Sequence, residues 1–264
     1  MLTHRSTASP FHFKINDVKK DLLDPAIQGT TGILKAIKAS APSVKRVVIT
    51  SSFASILTPD LGNRPGHVYS EADWNPITPE ESVLNSVNGY RGSKTHAEKA
   101  AWEFVKNESP NFDVATINPP LVIGLVKPYG ASIENINTSN ERTRDILQGK
   151  TKESLGPTGT YIWVDVRDVA AAHVAAFEKP DAGGKRYFLV AGTFTNQLIA
   201  DIIVKNFPEY KNNVPEKREP NDGYPEGGFY GFDNSRSKEI LGIKYHTLEE
   251  SVVDLVKSLK ERGL

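Results

Sequence analysis

The segment Arg46-Val47-Val48-Ile49-Thr50-Ser51-Ser52 decides the fold class of this 264-residue chain. Its first residues are β-branched and apolar on both faces, which is typical of a strand buried within a parallel sheet. A helical pattern precedes it at residues 16 to about 39, and another follows at residues 88–107. Strands that alternate with helices in this way predict βαβ units, and therefore an α/β fold with a parallel sheet.

The remaining patterns continue this alternation. Residues 112–117 predict a second buried strand, which must end at Asn118-Pro119-Pro120 because proline cannot continue a ladder. Further strands are expected at 161–164 and 185–190, and further helices at 140–147, 165–177, 195–207, 235–241 and 247–262. Residues 58–79 and 208–229 are polar and rich in proline, which predicts loops. Thr247-Leu248-Glu249-Glu250 predicts a capping box at the start of the last helix.

The composition excludes several kinds of site and partner. Lys and Arg total 32 and Asp and Glu total 32, so the formal net charge is zero. A nucleic-acid partner is therefore not expected, because such proteins rely on clustered cationic charge. The chain has no Cys, which excludes disulfides, thiolate metal sites and Cys nucleophiles. Its six His residues lack metal-ligand spacing, so no metal site is predicted.

The apolar runs of the chain bear on its location. None of them reaches the roughly 18 residues that a membrane span needs, so no membrane partner is expected. The first ten residues are polar and include His4 and Arg5. They lack the apolar stretch of a signal peptide, and a cytoplasmic location is the resulting expectation.

Two glycine motifs are weak candidates for phosphate binding. Gly29-Thr30-Thr31-Gly32 lies inside a helical pattern with no strand before it, so close helix packing is the better interpretation. Gly149-Lys150-Thr151 resembles the end of a phosphate loop, but Arg144 stands where the first glycine of that loop belongs. Neither motif predicts a binding site.

Tyr90 and Lys94 form the pair with the clearest chemical purpose. On a helix, a spacing of four puts both side chains on one face about one turn apart. A phenol has a pKa near 10 and is a poor acid–base catalyst at neutral pH, and a neighbouring ammonium is expected to lower that pKa. The pair follows a buried strand that ends in Thr50-Ser51-Ser52. Ligands of open parallel sheets bind beyond such strand ends. This position favours a catalytic role for the pair more strongly than the spacing alone does.

Sequence blocks along nearly the whole chain occur together in one known family. They are Thr7-Ala8-Ser9-Pro10, Asp24-Pro25-Ala26, Gly32-Ile33-Leu34, Val44-Lys45-Arg46-Val47-Val48, Thr50-Ser51-Ser52, Trp74-Asn75-Pro76, Tyr90 to Lys94, Ala97-Glu98-Lys99-Ala100-Ala101-Trp102, Asn118-Pro119, Asn137-Thr138-Ser139 and Val164-Asp165-Val166-Arg167-Asp168-Val169-Ala170. In these blocks the chain resembles the extended short-chain dehydrogenases/reductases of the NAD-dependent epimerase/dehydratase family. It is most similar to the dihydroflavonol-reductase-like branch, with its fungal NADPH-dependent aldehyde, ketone and methylglyoxal reductases.

The resemblance implies a two-part architecture. A Rossmann-like parallel sheet would form a dinucleotide-binding domain from residues 1–124 and about 160–180. A smaller C-terminal α+β lobe, from residues 125–159 and about 181–264, would bind the substrate. The oligomeric state is not implied.

The resemblance also implies a catalytic triad of Ser52, Tyr90 and Lys94. Tyr90 would donate a proton to a carbonyl oxygen, and Ser52 would orient that carbonyl. Lys94 would hold the nicotinamide ribose and lower the pKa of Tyr90. The family uses the last hydroxyl of its Thr-Ser-Ser run, whereas strand alternation alone says only that Ser51 and Ser52 point to opposite sides.

NADP, as NADPH, is the cofactor that the resemblance implies, and a small carbonyl compound is the substrate. The residues expected to contact the cofactor are Thr7, Ala8, Ser9, Tyr90, Lys94, Pro119, Val122 and Ser139. For Thr7 and Ala8, a plain turn at a strand end is an interpretation of equal weight.

The chain departs from the family at its beginning. Full members open with a strand, a glycine turn and a helix that bind the pyrophosphate, and none of the 20 Gly residues here has that spacing. The stretch Met1-Leu2-Thr3-His4-Arg5-Ser6 is polar where a strand buried on both faces needs apolar residues. We therefore expect the sheet to lack its first βα units and the adenine half of the cofactor to have no site. An N-terminally truncated product or gene model is the corresponding hypothesis.

Two other functions stay open at this point. A nucleotide-sugar epimerase or dehydratase would use the same triad, although Trp74-Asn75-Pro76 and Asn137-Thr138-Ser139 favour the reductase branch. A non-catalytic remnant that binds a partner would account for the missing glycine turn.

Overall fold

The computed structural model describes residues 17–126, 133 and 136–264, together with the backbone of residues 4–6. The chain divides into two compact units. Unit 1 comprises Met1–Pro119, Ala171–Leu189 and Tyr230–Ile243, and unit 2 comprises Pro120–Ala170, Val190–Phe229 and Lys244–Leu264. The domain boundaries given above divide the chain by function, and they stay predictions.

Strands and helices alternate along the described residues. The strands are β1 (His4–Ser6), β2 (Arg46–Thr50), β3 (Val68–Tyr69), β4 (Asp113–Asn118), β5 (Leu121–Ile123), β6 (Ile162–Asp165), β7 (Lys185–Phe188), β8 (Gly192–Thr193) and β9 (Gly231–Phe232). The α-helices are α1 (Asp24–Ser40), α2 (Pro79–Ser82), α3 (Ser86–Glu108), α4 (Thr138–Leu147), α5 (Val166–Glu178), α6 (Asn196–Asn206), α7 (Ser235–Glu239) and α8 (Leu248–Lys260). The predicted α/β class is confirmed.

Unit 1 contains a parallel sheet in the order β1-β2-β4-β7. The two inner strands carry buried apolar residues, with Val47 and Val114 fully shielded from solvent. In their register Arg46 lies opposite Asp113 and Thr50 lies opposite Ile117. The carboxyl ends of β2 and β4 therefore meet at one edge of the sheet, where ligands of such folds bind.

Strand β1 corrects one expectation. The polar stretch of residues 1–6 was not expected to supply a buried strand, yet His4–Ser6 pairs in parallel with residues 47–49 of β2. Ladder hydrogen bonds join backbone groups and do not depend on the side chains. Within the described sheet, β1 has a neighbour on one side only, so the apolar pattern of an inner strand is not required of it.

Helices α1 and α3 pack against the same apolar cluster of unit 1. The cluster joins Leu34 and Ile37 of α1 to Ala101 and Phe104 of α3. A short π-helical turn, Lys19–Leu23, leads directly into α1. Gly32 lies within α1 as expected, but a Cβ placed there would meet no atom within 4 Å. Close helix packing is therefore the wrong explanation for this glycine.

Unit 2 has its own sheet and core. Strands β5 and β6 pair in parallel, and β8 joins β6 in antiparallel orientation. The core unites residues of α4, α6 and α8 around the fully buried Trp163. The predicted capping box is confirmed, since Thr247 accepts from the backbone of Glu250 and the Glu250 side chain accepts from the backbone of Thr247. Asp165 caps α5 as predicted, accepting from the Arg167 N–H at 2.7 Å.

The loops predicted at 58–79 and 208–229 contain short elements that their sequences do not show. Strand β3 lies in the first loop and pairs with β9, Val68 opposite Gly231. Two 3₁₀ helices, Pro208–Asn213 and Pro220–Gly223, lie in the second. No helix among the described residues is long and apolar enough to cross a membrane.

Candidate active site

Tyr90 and Ser52 meet at the carboxyl edge of the unit 1 sheet. Ser52 follows β2, and its hydroxyl accepts the Ala54 N–H at 3.1 Å, which fixes a short 3₁₀ turn at Phe53–Ser55. Tyr90 lies in the second turn of α3, and its Oη donates to Ser52 Oγ at 3.3 Å. The structure thus places two residues of the predicted triad within hydrogen-bonding distance.

Ser51 and Ser52 face opposite ways, as strand alternation requires. Ser52 is extended, with φ −162° and ψ 156°, and its hydroxyl meets Tyr90. The Ser51 hydroxyl instead donates to the buried carboxylate of Glu98. This difference supports Ser52 over Ser51 as the residue that contacts a substrate.

Lys94 stands one turn after Tyr90 on α3 and is half-buried. Burial lowers the pKa of Lys94, and the negative charge of Glu98 opposes that shift. Among the described residues, no carboxylate lies within salt-bridge distance of the Lys94 ammonium. A shielded ammonium that is not bonded to a carboxylate is costly, so its three donors suit a ligand that offers hydroxyl or other oxygen acceptors.

The pKa of Tyr90 corrects another expectation. The sequence predicts that Lys94 lowers this pKa, but burial raises the pKa of Tyr90 above its usual value of 10.0, and the hydrogen bond with Ser52 offsets only part of that rise. A buried phenolate loses its hydration, which outweighs the neighbouring hydroxyl. In the chain by itself, Tyr90 is therefore a neutral phenol at physiological pH and can act as a proton donor.

The other predicted cofactor residues lie in unit 1, in unit 2 or outside the described residues. The carbonyl of Pro119 accepts the Phe53 N–H at 2.8 Å, so Pro119 lies beside the turn that carries Ser52. Val122 lies in β5 and Ser139 in the first turn of α4, both in unit 2 and both half-buried. Thr7, Ala8 and Ser9 lie outside the described residues. The cofactor roles of all these residues stay predictions.

A buried polar network next to the turn that carries Ser52 was not predicted from the sequence. Its centre is Glu98, which is 2% exposed and lies four residues after Lys94 on α3. Asn118 at the end of β4 and Arg186 in β7 both donate to it. Two signals in the sequence point to Glu98: it lies in the family block of residues 97–102, and the spacing of positions 90, 94 and 98 places all three on one helix face.

No group of three or more His, Asp or Glu side chains in residues 17–126 and 136–264 is arranged to hold a metal ion.

The chain is similar to known proteins over nearly its whole length. Residues 14–192 match the NAD dependent epimerase/dehydratase family. The chain is similar to the ketoreductase azaE of Aspergillus niger, with 48% identity over 258 residues that cover 97% of this chain and 75% of that protein. It is also similar to the putative NADPH-dependent methylglyoxal reductase GRP2 of Candida albicans, at 41% identity over 96% of this chain and 74% of that protein.

A solved structure shows the same fold. The crystal structure of Gre2 in complex with NADPH, from Candida albicans, matches with a TM-score of 0.88 and 40% identity, over 99% of this chain and 77% of that one. This likeness confirms the Rossmann-like architecture that the sequence predicts. The expected lack of the first βα units stays a prediction.

Proposed function

The chain belongs to the NAD dependent epimerase/dehydratase family, and we propose that it is an NADPH-dependent carbonyl reductase that converts small aldehydes or ketones to alcohols. The observation that carries this proposal is the hydrogen bond from Tyr90 to Ser52, with Lys94 one helical turn away. The similar proteins are named as a ketoreductase and an NADPH-dependent methylglyoxal reductase, which supports the same chemistry.

Tyr90 would supply the proton. NADPH supplies hydride to the carbonyl carbon when it is bound. Negative charge then develops on the carbonyl oxygen, and the neutral phenol of Tyr90 donates its proton to that atom. The raised pKa of Tyr90 keeps the phenol in its acid form at neutral pH.

Ser52 would orient the same oxygen. Both hydrogen bonds recorded at Ser52 Oγ are accepted ones, from Tyr90 Oη and the Ala54 N–H. The hydroxyl proton of Ser52 is therefore left to donate. A preorganised donor at the point where charge develops stabilises the transition state.

Lys94 would bind the ribose hydroxyls on the nicotinamide side of the cofactor. Its shielded ammonium has no carboxylate partner among the described residues and offers donors to such oxygens. The further contacts that we propose are with Tyr90, Pro119, Val122 and Ser139, and with the segment Thr7-Ala8-Ser9. A cytoplasmic location, expected from the sequence, stays a prediction.

The test is a titration of the purified chain with NADPH, followed by an assay of NADPH oxidation with methylglyoxal and with a small ketone. The proposal predicts saturable binding in the micromolar range and oxidation that requires the carbonyl compound. Millimolar or undetectable binding with no carbonyl-dependent oxidation would overturn it and favour the non-catalytic alternative. Conversion of a nucleotide sugar without net oxidation of NADPH would favour the epimerase alternative.

A further inference from the structure

Glu98 is a buried carboxylate that accepts hydrogen bonds from six side chains. Oxygen Oε1 accepts from Arg186 Nε at 2.6 Å, Thr116 Oγ1 at 3.1 Å and Trp102 Nε1 at 3.4 Å. Oxygen Oε2 accepts from Ser51 Oγ, Ser55 Oγ at 2.6 Å and Asn118 Nδ2 at 2.8 Å. A carboxylate has about four lone-pair positions, so all of its acceptor capacity is used.

The two oxygens of Glu98 accept from different side chains. Oε1 is joined to Arg186 of β7, whose guanidinium also stacks over Trp74 at 3.7 Å and donates to the backbone carbonyl of Asp73 at 2.6 Å. Burial alone would raise the pKa of Glu98, but the charge of Arg186 and the hydrogen bonds keep the pKa below its usual value. The carboxylate is therefore charged, and its counter-charge is the guanidinium of Arg186, which also donates to Ser55 Oγ at 3.3 Å and to the Ser55 carbonyl at 3.5 Å.

Oε2 holds the chain on both sides of Ser52. Ser51 precedes Ser52, and Ser55 follows three residues later with its N–H bonded to the Ser52 carbonyl at 3.0 Å. Asn118 donates to Oε2 and also reaches the Ser52 carbonyl at 3.4 Å. The groups that enclose the backbone of Ser52 thus share one acceptor, Oε2 of Glu98. Glu98 lies on the same helix as Tyr90 and Lys94.

We infer that Glu98 is a positioning residue, which holds the turn bearing Ser52 in register with helix α3 and so sets the Ser52–Tyr90 contact. Glu98 acts through Ser51, Ser55 and Asn118 and touches no reacting atom. The inference rests on the proposed function for its effect on catalysis. Its geometric content, the dependence of the Ser52–Tyr90 contact on Glu98, is independent of any cofactor.

Substitution Glu98→Gln tests the side of the network that faces Ser52. Arg186 can only donate, so the amide oxygen of Gln must face Arg186 and the amide NH₂ must face Ser51, Ser55 and Asn118. The groups that hold the turn then lose their acceptor. A small misplacement of catalytic groups costs up to about 100-fold in rate, and we expect kcat to fall at least about tenfold.

Substitution Asp113→Asn is the matched control. Asp113 pairs with Arg46 at 2.6 Å at the opposite ends of the same two strands, β2 and β4. The change is again carboxylate to amide and again removes an ion-pair charge, so the melting temperature should fall. Asp113→Asn leaves the carboxyl edge of the unit 1 sheet intact, so kcat should stay within about twofold of the parent value.

A readout without cofactor completes the test. Isotopically labelled tyrosine gives an NMR signal for Tyr90, assigned by its loss in Tyr90→Phe. In E98Q this signal should move, because the hydrogen bond with Ser52 changes, and in D113N it should stay in place. Where E98Q does not fold, Ser51→Ala takes its place, since it removes one bond of the turn and leaves the ion pair.

The outcomes separate the two proposals. A lowered kcat with a displaced Tyr90 signal in E98Q, and neither in D113N, supports the positioning role. Equal losses of melting temperature with unchanged kcat and an unchanged Tyr90 signal would overturn it. If the parent chain does not reduce carbonyl compounds, the proposed function fails, and the Tyr90 signal alone then decides the role of Glu98.

Discussion

At the scale of single residues, Tyr90 carries the proton-transfer chemistry. Tyr90→Phe removes one hydroxyl and its bond to Ser52. We expect kcat for carbonyl reduction to fall by about 10²–10⁴, the usual contribution of general acid catalysis. The Kd for NADPH should rise by much less than kcat falls, because Tyr90 is only one of the proposed cofactor contacts. Steady-state kinetics and a binding titration measure the two quantities, and a variant with near-parental kcat would show that another group donates the proton.

The pH dependence of reduction reports the protonation of Tyr90. The acid form is the active one, so activity is present below the pKa and is lost as pH rises through it. Because burial raises this pKa above 10.0, the rate of reduction should stay level to about pH 9 and fall only above the ordinary phenol pKa of about 10. A fall in rate between about pH 7 and 8 would instead support the original expectation that Lys94 lowers the pKa.

Ser52→Ala is a second test of what sets the pKa of Tyr90. The hydrogen bond with Ser52 lowers the pKa of Tyr90 against the larger effect of burial. Its removal should therefore move the alkaline fall of the rate to still higher pH, besides lowering kcat. The pH–rate profile of the variant, measured beside the parent, tests this direction, and a shift to lower pH would contradict it.

At the scale of secondary-structure elements, the contact between α2 and α3 depends on Gly92. A Cβ at Gly92 would overlap the buried side chain of Ser82 in α2, whose hydroxyl is bonded to the Thr78 carbonyl at 2.6 Å. Gly92→Ala should therefore lower the free energy of unfolding by about 1–3 kcal/mol, the usual cost of overpacking. Urea denaturation measures the change.

Gly32→Ala is the control for this prediction. Gly32 also lies inside a helix, but a Cβ there meets no atom within 4 Å. Alanine is a better helix former than glycine, so this variant should gain about 0.5–1 kcal/mol of stability. Equal effects of the two substitutions would show that helix propensity, and not the contact with Ser82, governs both positions.

The elements themselves could be predicted well from the sequence. The capping box at Thr247 and the cap at Asp165 are confirmed because each depends on residues two or three positions away. Strand β3 could not be predicted, since a two-residue strand has no periodicity and depends on β9, more than 160 residues later. The sequence likewise predicts Tyr90 and Lys94 on one helix face but not the burial that raises the pKa of Tyr90.

At the scale of the whole molecule, cofactor binding should stabilise the folded chain. A ligand that binds only the folded state adds about 2.7 kcal/mol at 100 times its Kd. NADPH at that concentration should therefore raise the melting temperature of the parent, and to a smaller extent that of Tyr90→Phe, which loses one proposed cofactor contact. A melting temperature that does not respond to NADPH would contradict the proposed function at this scale.

The sequence by itself determined the α/β class, most helices, the four longest described strands, the caps and the local Tyr90–Lys94 spacing, because each of these depends on residues close together in the chain. The tertiary structure decided the place of β1 in the sheet, the Ser52–Tyr90 contact and the partners of Glu98. Those partners lie 18 residues away at Thr116, 47 at Ser51 and 88 at Arg186. Groups so far apart in sequence come together only when parallel strands bring their ends to one edge of the sheet. No local sequence pattern predicts such a contact.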